Sequence, residues 1–498
     1  MRKFTRKDLD EMDIPEIELD PKSRDDIPQL LKGLQYIFLT PFLREEVFKI
    51  LDEMFPESID RNNGRPGMDM WSIFVMGVLR LNLNWDYDRL HEMVNNHGIV
   101  RQLLGHGLDD DGEKYGLQNI KDNVVLLTTE ILDEINQVVV KAGHEVVKKS
   151  EEEQKLDNKA VDKEKLRGRC DSFPVETNVH YPTDTSLLFD AIRVVIKLLM
   201  QLCLLCGLSE WEAGNRKIKQ VKKLLRKIQN LKHSRSKDEK KQEARKKLII
   251  EAHQEYLNGV AGLLDQVDKT LQTICIKFPW AKPNLLKIEK FIDHAKRQTN
   301  QIERRVIKGE TISHEEKVFS IFEGHTEWIS KGKVGVEVEL GLNVCILEDR
   351  HGFILHHHVM QKQTDSQVAV PMIEEAQARF PNLAICSFDK GFHSPENQEK
   401  LADLLELTVL PKKGNLSKKE QKRENSEKFI DARRQHAAVE SAINALEHHG
   451  LDRCPDHGLE GFKRYAALAV VARNIQILGV YLRRQETNES ARQYQEVA

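Results

Sequence analysis

The chain has 498 residues, 40% hydrophobic and 31% charged, with a formal net charge of −3. That length calls for two or more domains, each with a core, and the composition excludes a disordered or fibrous chain. The near-neutral balance gives no overall bias towards polyanions, and seven scattered cysteines without a disulfide framework point to a reducing compartment.

The N-terminus, MRKFTRKDLDEMD, is charged and holds no apolar run, so no secretory leader is expected. The most apolar stretch, 187–208, contains Asp190, Arg193, Lys197 and Gln201, which suits a buried helix and not a membrane span. A soluble, cytoplasmic protein is expected.

Residues 1–40 are polar, with Pro15, Pro21 and Pro28, and read as a loosely ordered arm. Residues 41–150 follow a helical period. Gly64-Arg65-Pro66-Gly67 is a turn, and Asp69 is placed to cap a helix through Ile73, Met76, Val78, Leu79 and Leu81. A break at 82–86 precedes a second helix through Leu90, Met93 and Val94. Two short helices and a turn fit helix-turn-helix DNA binding, with Arg65 as a contact, or a plain helical bundle. The charged linker KKSEEEQKLDNKAVDKEKLRGR ends at Arg169.

Next, Arg169-Cys170-Asp171 is expected to end a short strand, with 175–181 as its hairpin partner and Pro174 between them. Cys203 and Cys206 form a CxxC inside the apolar helix and read as buried thiols, since no second ligand pair stands nearby. Residues 151–208 form the first part of one domain, and 209–310 a basic helical insertion. Within it, 216–247 is dense in Lys and Arg, including Lys222, Lys223, Arg226 and Lys227. Such an arm is either a solvated helical hairpin or a surface that attracts a phosphate backbone.

From about Lys317 the period changes to two. VGVEVELGLNVCILE and GFILHHHVM, joined by Asp349-Arg350-His351-Gly352, read as an antiparallel hairpin. Consecutive His356, His357 and His358 alternate faces and cannot all chelate one ion. A helix over 366–379 leads to the apolar run 383–388, which ends at Asp389 with Gly391 two positions on. The carboxylate is therefore expected at the C-terminal lip of a buried strand, where open α/β sheets place their sites. Ser394-Pro395 opens another helix, 407–410 is a strand, and a basic loop over 412–423 precedes a long final helix. On that helix Val439, Ile443 and Leu446 share one face, and His436, Glu440 and Asn444 line a polar stripe beside it, with Gly450 as a left-handed cap. Residues 311–484 complete the domain begun at 151, and 485–498 form a polar tail.

Asp171, Asp389 and Glu440 make an oxygen-only donor set, which selects hard cations such as Mg²⁺ or Mn²⁺. Two such ions about 4 Å apart serve in-line phosphoryl displacement. Without metal the like charges repel, and one acid tends to stay protonated.

The sequence resembles the DDE transposases of bacterial insertion sequences, whose catalytic domain is ribonuclease-H-like. The resemblance rests on RCDSFPVETNVHYPTD, CSFDKGFHSPEN, RRQHAAVESAINALEHHGLDRC and the N-terminal GRPGMDMWSIFVMGVLRL. It implies an α/β fold: a ribonuclease-H-like mixed sheet flanked by helices, with an all-α N-terminal domain and a long helical insertion. It further implies Asp171, Asp389 and Glu440 as the catalytic and metal-binding triad, holding Mg²⁺ or Mn²⁺, two ions in all. The partners implied are double-stranded DNA at element ends and target, gripped by a homodimer in the nucleoid. Such enzymes often carry a Tyr and an Arg before the Glu and a Lys after it; here those places hold Arg433, His436 and Glu447. The phosphate-contacting role then passes to Arg433, Arg434, His436 or Lys390. Two other functions remain open: a ribonuclease-H-type nuclease without strand transfer, and a transposase-derived DNA-binding protein that has lost its chemistry.

Overall fold

The structure is a computed structural model, and it describes residues 3–9, 12–20, 22–55, 67–107, 114–153, 165–233, 238–330 and 338–497. The chain divides into two compact units, one of residues 1–178 with 329–498, the other of 179–328.

In the first unit the strands, in chain order, are β1 (Leu166–Thr177), β3 (Val338–Asp349), β4 (Ile354–Val359), β5 (Leu383–Phe388), β6 (Leu407–Val409) and β7 (Arg453–Cys454). A short strand β2 (Glu327–Ser330) lies at the boundary between the two units. The sheet order is β2-β3-β1-β5-β6, with β4 also on β3 and β7 on β1. The hairpin β3–β4 is antiparallel, β3 runs antiparallel to β1, and β5 and β6 run parallel to β1. Three antiparallel strands followed by two parallel ones, flanked by helices, is the ribonuclease-H-like arrangement. The alternation over 334–348 and 352–360, of which 334–337 lies outside the described residues, and the apolar run 383–388 mark its strands.

β1 departs from expectation. It does not end at Asp171 to form a hairpin but runs unbroken through Pro174, with Asp171 opposite Ile346 and Pro174 opposite Asn343. The reason is in the edge facing β5. The amide of Leu166 donates to Asn382 O, and that of Glu176 to Asp452 O, so even-numbered amides face this edge. β5 pairs only as far as Cys170 and β7 begins only at Glu176. Pro174 lacks its N–H on the side where no strand would accept it, so the proline is tolerated mid-strand.

Helices cover the sheet. Glycines at two points let Asp26–Leu39 cross Gly458–Val497 closely: a Cβ on Gly479 would lie 1.8 Å from Gln29 O, and one on Gly33 would lie 2.2 Å from Ile475 O. The helix Gly458–Asn488 is long and apolar enough to cross a membrane, but 83% of its apolar window is buried within the protein, as befits a core helix.

Three further expectations differ from this arrangement. The polar arm over 1–40 contains the helix Asp26–Leu39, whose Leu30, Leu31, Leu34, Ile37 and Phe38 are buried. Pro28 falls in its first turn, where a missing N–H is harmless, so the proline opens the helix and does not break it. The helices of 41–150 do not stand apart, since Trp71, Phe74, Leu132 and Val139 belong to one continuous core with Cys170, Ile346 and Phe388 of the sheet. Met70–Asn82 is buried on every side, whereas Tyr87–Asn96, the second helix of the pair, buries only Leu90, Met93, Val94 and Asn95 and keeps an exposed face. Asp69 does cap it, accepting from the Ser72 amide at 2.8 Å. Finally, the tail over 485–498 continues the last helix as far as Val497.

The second unit is built on Asp184–Leu205, Gly214–Lys232, Glu239–Lys277 and Lys282–Ile302, which share a core around Leu199, Trp211, Ile228 and Tyr256. Asp184–Leu205, expected in the sheet domain, packs here instead. Its apolar residues surround much of the helix and are satisfied by neighbouring helices.

Candidate active site

Parallel pairing of β1 and β5 places Arg169 opposite Ser387 and Cys170 opposite Phe388. One step further along both strands come Asp171 and Asp389. At that step β5 stops, because Asp389 leads a single turn, Lys390–Phe392, in which the Phe392 amide bonds back to Asp389 O at 3.2 Å. The edge of β1 is left without a strand partner from 171 to 175 among the described residues. Within this gap the Ser172 amide turns back to donate to Asp171 Oδ1 at 2.8 Å.

Glu440 reaches the site from a different element than expected. The final helix is not continuous: Glu427–His436 ends, the chain turns at 437–438, and Val439–Leu446 begins anew. Short-range bonds from Ala438 N to Gln435 O and from Glu440 N to Ala437 O replace the helical ladder. Val439, Ala442 and Leu446 are buried, leaving Glu440 exposed in the first turn. His436, Glu440 and Asn444 therefore do not form one helical stripe. His436 is tied to the sheet instead, its Nδ1 3.0 Å from Ser387 Oγ. The Gly450 cap is as expected, at φ 103°.

Sequence reasoning missed a fourth acid. Asp365 opens the helix Asp365–Arg379, and its Oδ1 accepts from Ser172 Oγ at 2.6 Å. A Cβ on Gly391 would lie 2.6 Å from Asp365 Oδ2, so a side chain there would push this carboxylate aside. The sequence placed the helix start at Ser366. The signal was Thr364 with Gln367, a capping box that makes Asp365 the first helical residue.

Burial first, and then the neighbouring carboxylates of Asp389, Asp365 and Glu440, push Asp171 up to about 6, against the opposing Ser172 amide. These four acids thus share one electrostatic environment. Burial, aided by Arg169, holds His436 below the ordinary imidazole range despite Asp389 and Glu440. It is therefore a neutral hydrogen-bonding group at pH 7 and not a cation.

The other candidate residues are spread out. Lys390, Arg433 and Arg434 are exposed, with Arg434 3.9 Å from Asp431. Lys222, Lys223 and Arg226 are exposed on Gly214–Lys232 in the second unit, whereas Lys227 is paired with Glu255 at 2.6 Å. Arg65 lies outside the described residues. The three histidines go separate ways, as alternation demanded: His356 to Glu375 at 3.1 Å, His357 to Asp133 at 3.5 Å and His358 to Gln363 at 2.8 Å. Cys203 and Cys206 are free thiols.

The donor set suits a hard divalent cation: oxygen ligands only, with mutual repulsion that a cation would relieve. Among the described residues no three His, Cys, Asp or Glu side chains are already gathered as a ligand set. Asp389 and Glu440 are exposed, so their side chains have room to reorient.

The sheet is ribonuclease-H-like, with Asp171 in β1 just past the point where its pairing with β5 stops and Asp389 just past the end of β5. Residues 289–475 match the family described as transposase DDE domain, which supports a DDE transposase of the insertion-sequence type. The matched stretch includes Asp365, Asp389, His436 and Glu440; Asp171 precedes it. No curated protein and no solved structure matches the chain. The family's activity is transposition, its substrate DNA, and its members generally use divalent metal ions.

Proposed function

We propose that the protein is an active DDE transposase that binds the terminal inverted repeats of its element, cleaves the DNA strands there and joins them to a target. The observation that carries this reading is the β1–β5 register, which sets Asp171 and Asp389 side by side, with Glu440 near enough to raise the proton affinity of Asp171. On this reading Asp171, Asp389 and Glu440 hold two Mg²⁺ or Mn²⁺ ions, which when bound supply an activated oxygen nucleophile and stabilise the leaving oxygen. The chain's own contribution is rigidity. β1 is pinned by β3 along nine residues, so Asp171 has a fixed backbone, while Ser172 is held by Asp365. Lys390, Arg433 and Arg434, exposed beside these acids in the sequence, are assigned to DNA phosphates, and His436 to holding Ser387. A homodimer working in the cytoplasm at the nucleoid agrees with two element ends as substrate.

The test is Asp389→Asn assayed on DNA carrying the inverted repeats that flank the coding region. Cleavage and joining are expected to vanish while end binding and melting temperature stay close to wild type. Undiminished cleavage by this variant would remove Asp389 from the chemistry and end the reading.

A further inference from the structure

Along β1, Arg167, Arg169 and Asp171 are spaced by two and lie on one face, as do Ile385 and Ser387 on β5. On that face a cavity of about 760 Å³ lies between the sheet and the helix Glu427–His436. Its floor includes Arg167 and Ser387, and Lys428 and Arg434 reach it from the helix. Ser387 is also the residue bonded to His436, so the cavity adjoins the acids. One alternation along a strand, roughly 7 Å, separates Arg169 and Ser387 from the Asp171–Asp389 pair.

The charge in this space is unevenly spent. Arg169 is engaged by Glu348 at 3.2 Å, and Arg350 by Glu151 at 3.7 Å. Of the lining acids, Glu406 is paired with Lys165 at 2.7 Å and Asp431 stands 3.9 Å from Arg434. The side chains of Arg167 and Lys428 have no hydrogen-bond or ion-pair partner among the described residues. Two uncommitted cations, with Arg434 exposed alongside, face a cleft that offers them no protein carboxylate of their own. That is a site for a flexible polyanion. A cavity of about 760 Å³ has room for a short stretch of single strand and is too small to take in a duplex.

We propose that this cleft is a single-strand subsite. It takes the phosphodiester backbone of the DNA strand adjoining the scissile phosphate, held by Arg167, Lys428 and Arg434. The proposal rests on the transposase reading, and it adds a path by which one separated strand leaves the acids.

The experiment uses the full chain, EDTA and a fluorescein-labelled single-stranded DNA hexamer, with affinity measured from 50 mM salt upward. The variants are Arg167→Gln/Lys428→Gln and, because Lys428 is exposed, Lys428→Gln alone. Loss of two phosphate contacts should lower the slope of log K against log salt by about 1.4, and loss of one by about 0.7. If the curves converge near 1 M salt, the double variant binds about sixty-fold more weakly at 50 mM. Should the double variant misfold, the Lys428→Gln slope decides alone. Unchanged slopes overturn the subsite. So does a blunt duplex of equal length that loses as much affinity as the single strand, or a nucleoside triphosphate that displaces the hexamer as well as unlabelled hexamer does. None of these results depends on cleavage, so they fail separately from the Asp389→Asn test.

Discussion

Replacing Asp171 by Asn should make the metal-free protein more stable. An aspartate ordinarily titrates at 3.8, and here burial and three neighbouring carboxylates raise it to about 6. Between those two values the folded state holds more protons than the unfolded one, so stability falls as pH rises through that window and stays low above it. The difference of about 2.2 units corresponds to roughly 3 kcal/mol withheld from the folded state at neutral pH. Asn has nearly the same shape, still accepts from the Ser172 amide, and never ionises. At pH 7.5 in EDTA, Asp171→Asn should therefore gain up to about 3 kcal/mol, and at pH 3.5 the gain should disappear. Amide exchange of β1 and β5 reads the opening of this unit alone. Saturating Mn²⁺ should close the gap between the two proteins by stabilising only the wild type, because binding relieves the same repulsion. A variant no more stable than wild type at pH 7.5 without metal would refute the argument that these charges are crowded.

Gly479→Ala drives a methyl into Gln29 O, 1.8 Å from the ideal Cβ, and should cost about 3 kcal/mol by forcing the two helices apart; denaturant midpoints measure it. His357 is buried beside Asp133 and held down to about 4, with burial the main cause. Since the unfolded chain takes up that proton near 6.5, stability should fall by about 3 kcal/mol as pH drops from 6.5 to 4, and His357→Gln should flatten that limb of the pH–stability curve. Neutralising Lys222, Lys223 and Arg226 together should lower the salt slope of binding to duplex element ends by about 2.7 if all three meet phosphates. Lys227→Gln should alter it less, since Glu255 already occupies that cation.

The strands and their acids were legible because their signals are local. The alternation over 334–348 and 352–360 and the apolar run closed by Asp389 depend on a few consecutive residues, and among the described residues the sheet uses them as read. What was not legible depends on partners distant in the chain. Pro174 signals a turn unless one knows that β5 and β7 leave β1 unpaired beside it. Residues 26–39 carry Leu30, Leu31, Leu34, Ile37 and Phe38, but grouped with the polar stretch before them they hide a helix that the glycines at 33 and 479 let pack against the last one. Residues 427–446 carry a continuous helical period, and only the tether from His436 to Ser387 explains the turn at 437–438. Asp365 was overlooked because an acid in a helix's first turn already has a sufficient local reason, favourable interaction with the helix dipole.

That last point bears on how the site works. Asp365 has two roles pulling in different directions: it favours its own helix start, and its charge adds to the burden on Asp171. If it served the helix alone, its bond to Ser172 would be dispensable, and Gly391 could carry a side chain without consequence. Yet Ser172 stands where β1 is paired on its β3 side alone, and the 2.6 Å bond to Asp365 supplies a fixed point for the stretch whose other edge is open. Asp365→Ala should accordingly separate the two effects. Stability lost with the helix start and stability gained from reduced charge should partly cancel, while exchange of the Ser172, Phe173 and Val175 amides should rise. A rise confined to the helix start, with β1 unaffected, would mean that the open edge holds itself and that Asp365 does no more than cap charge.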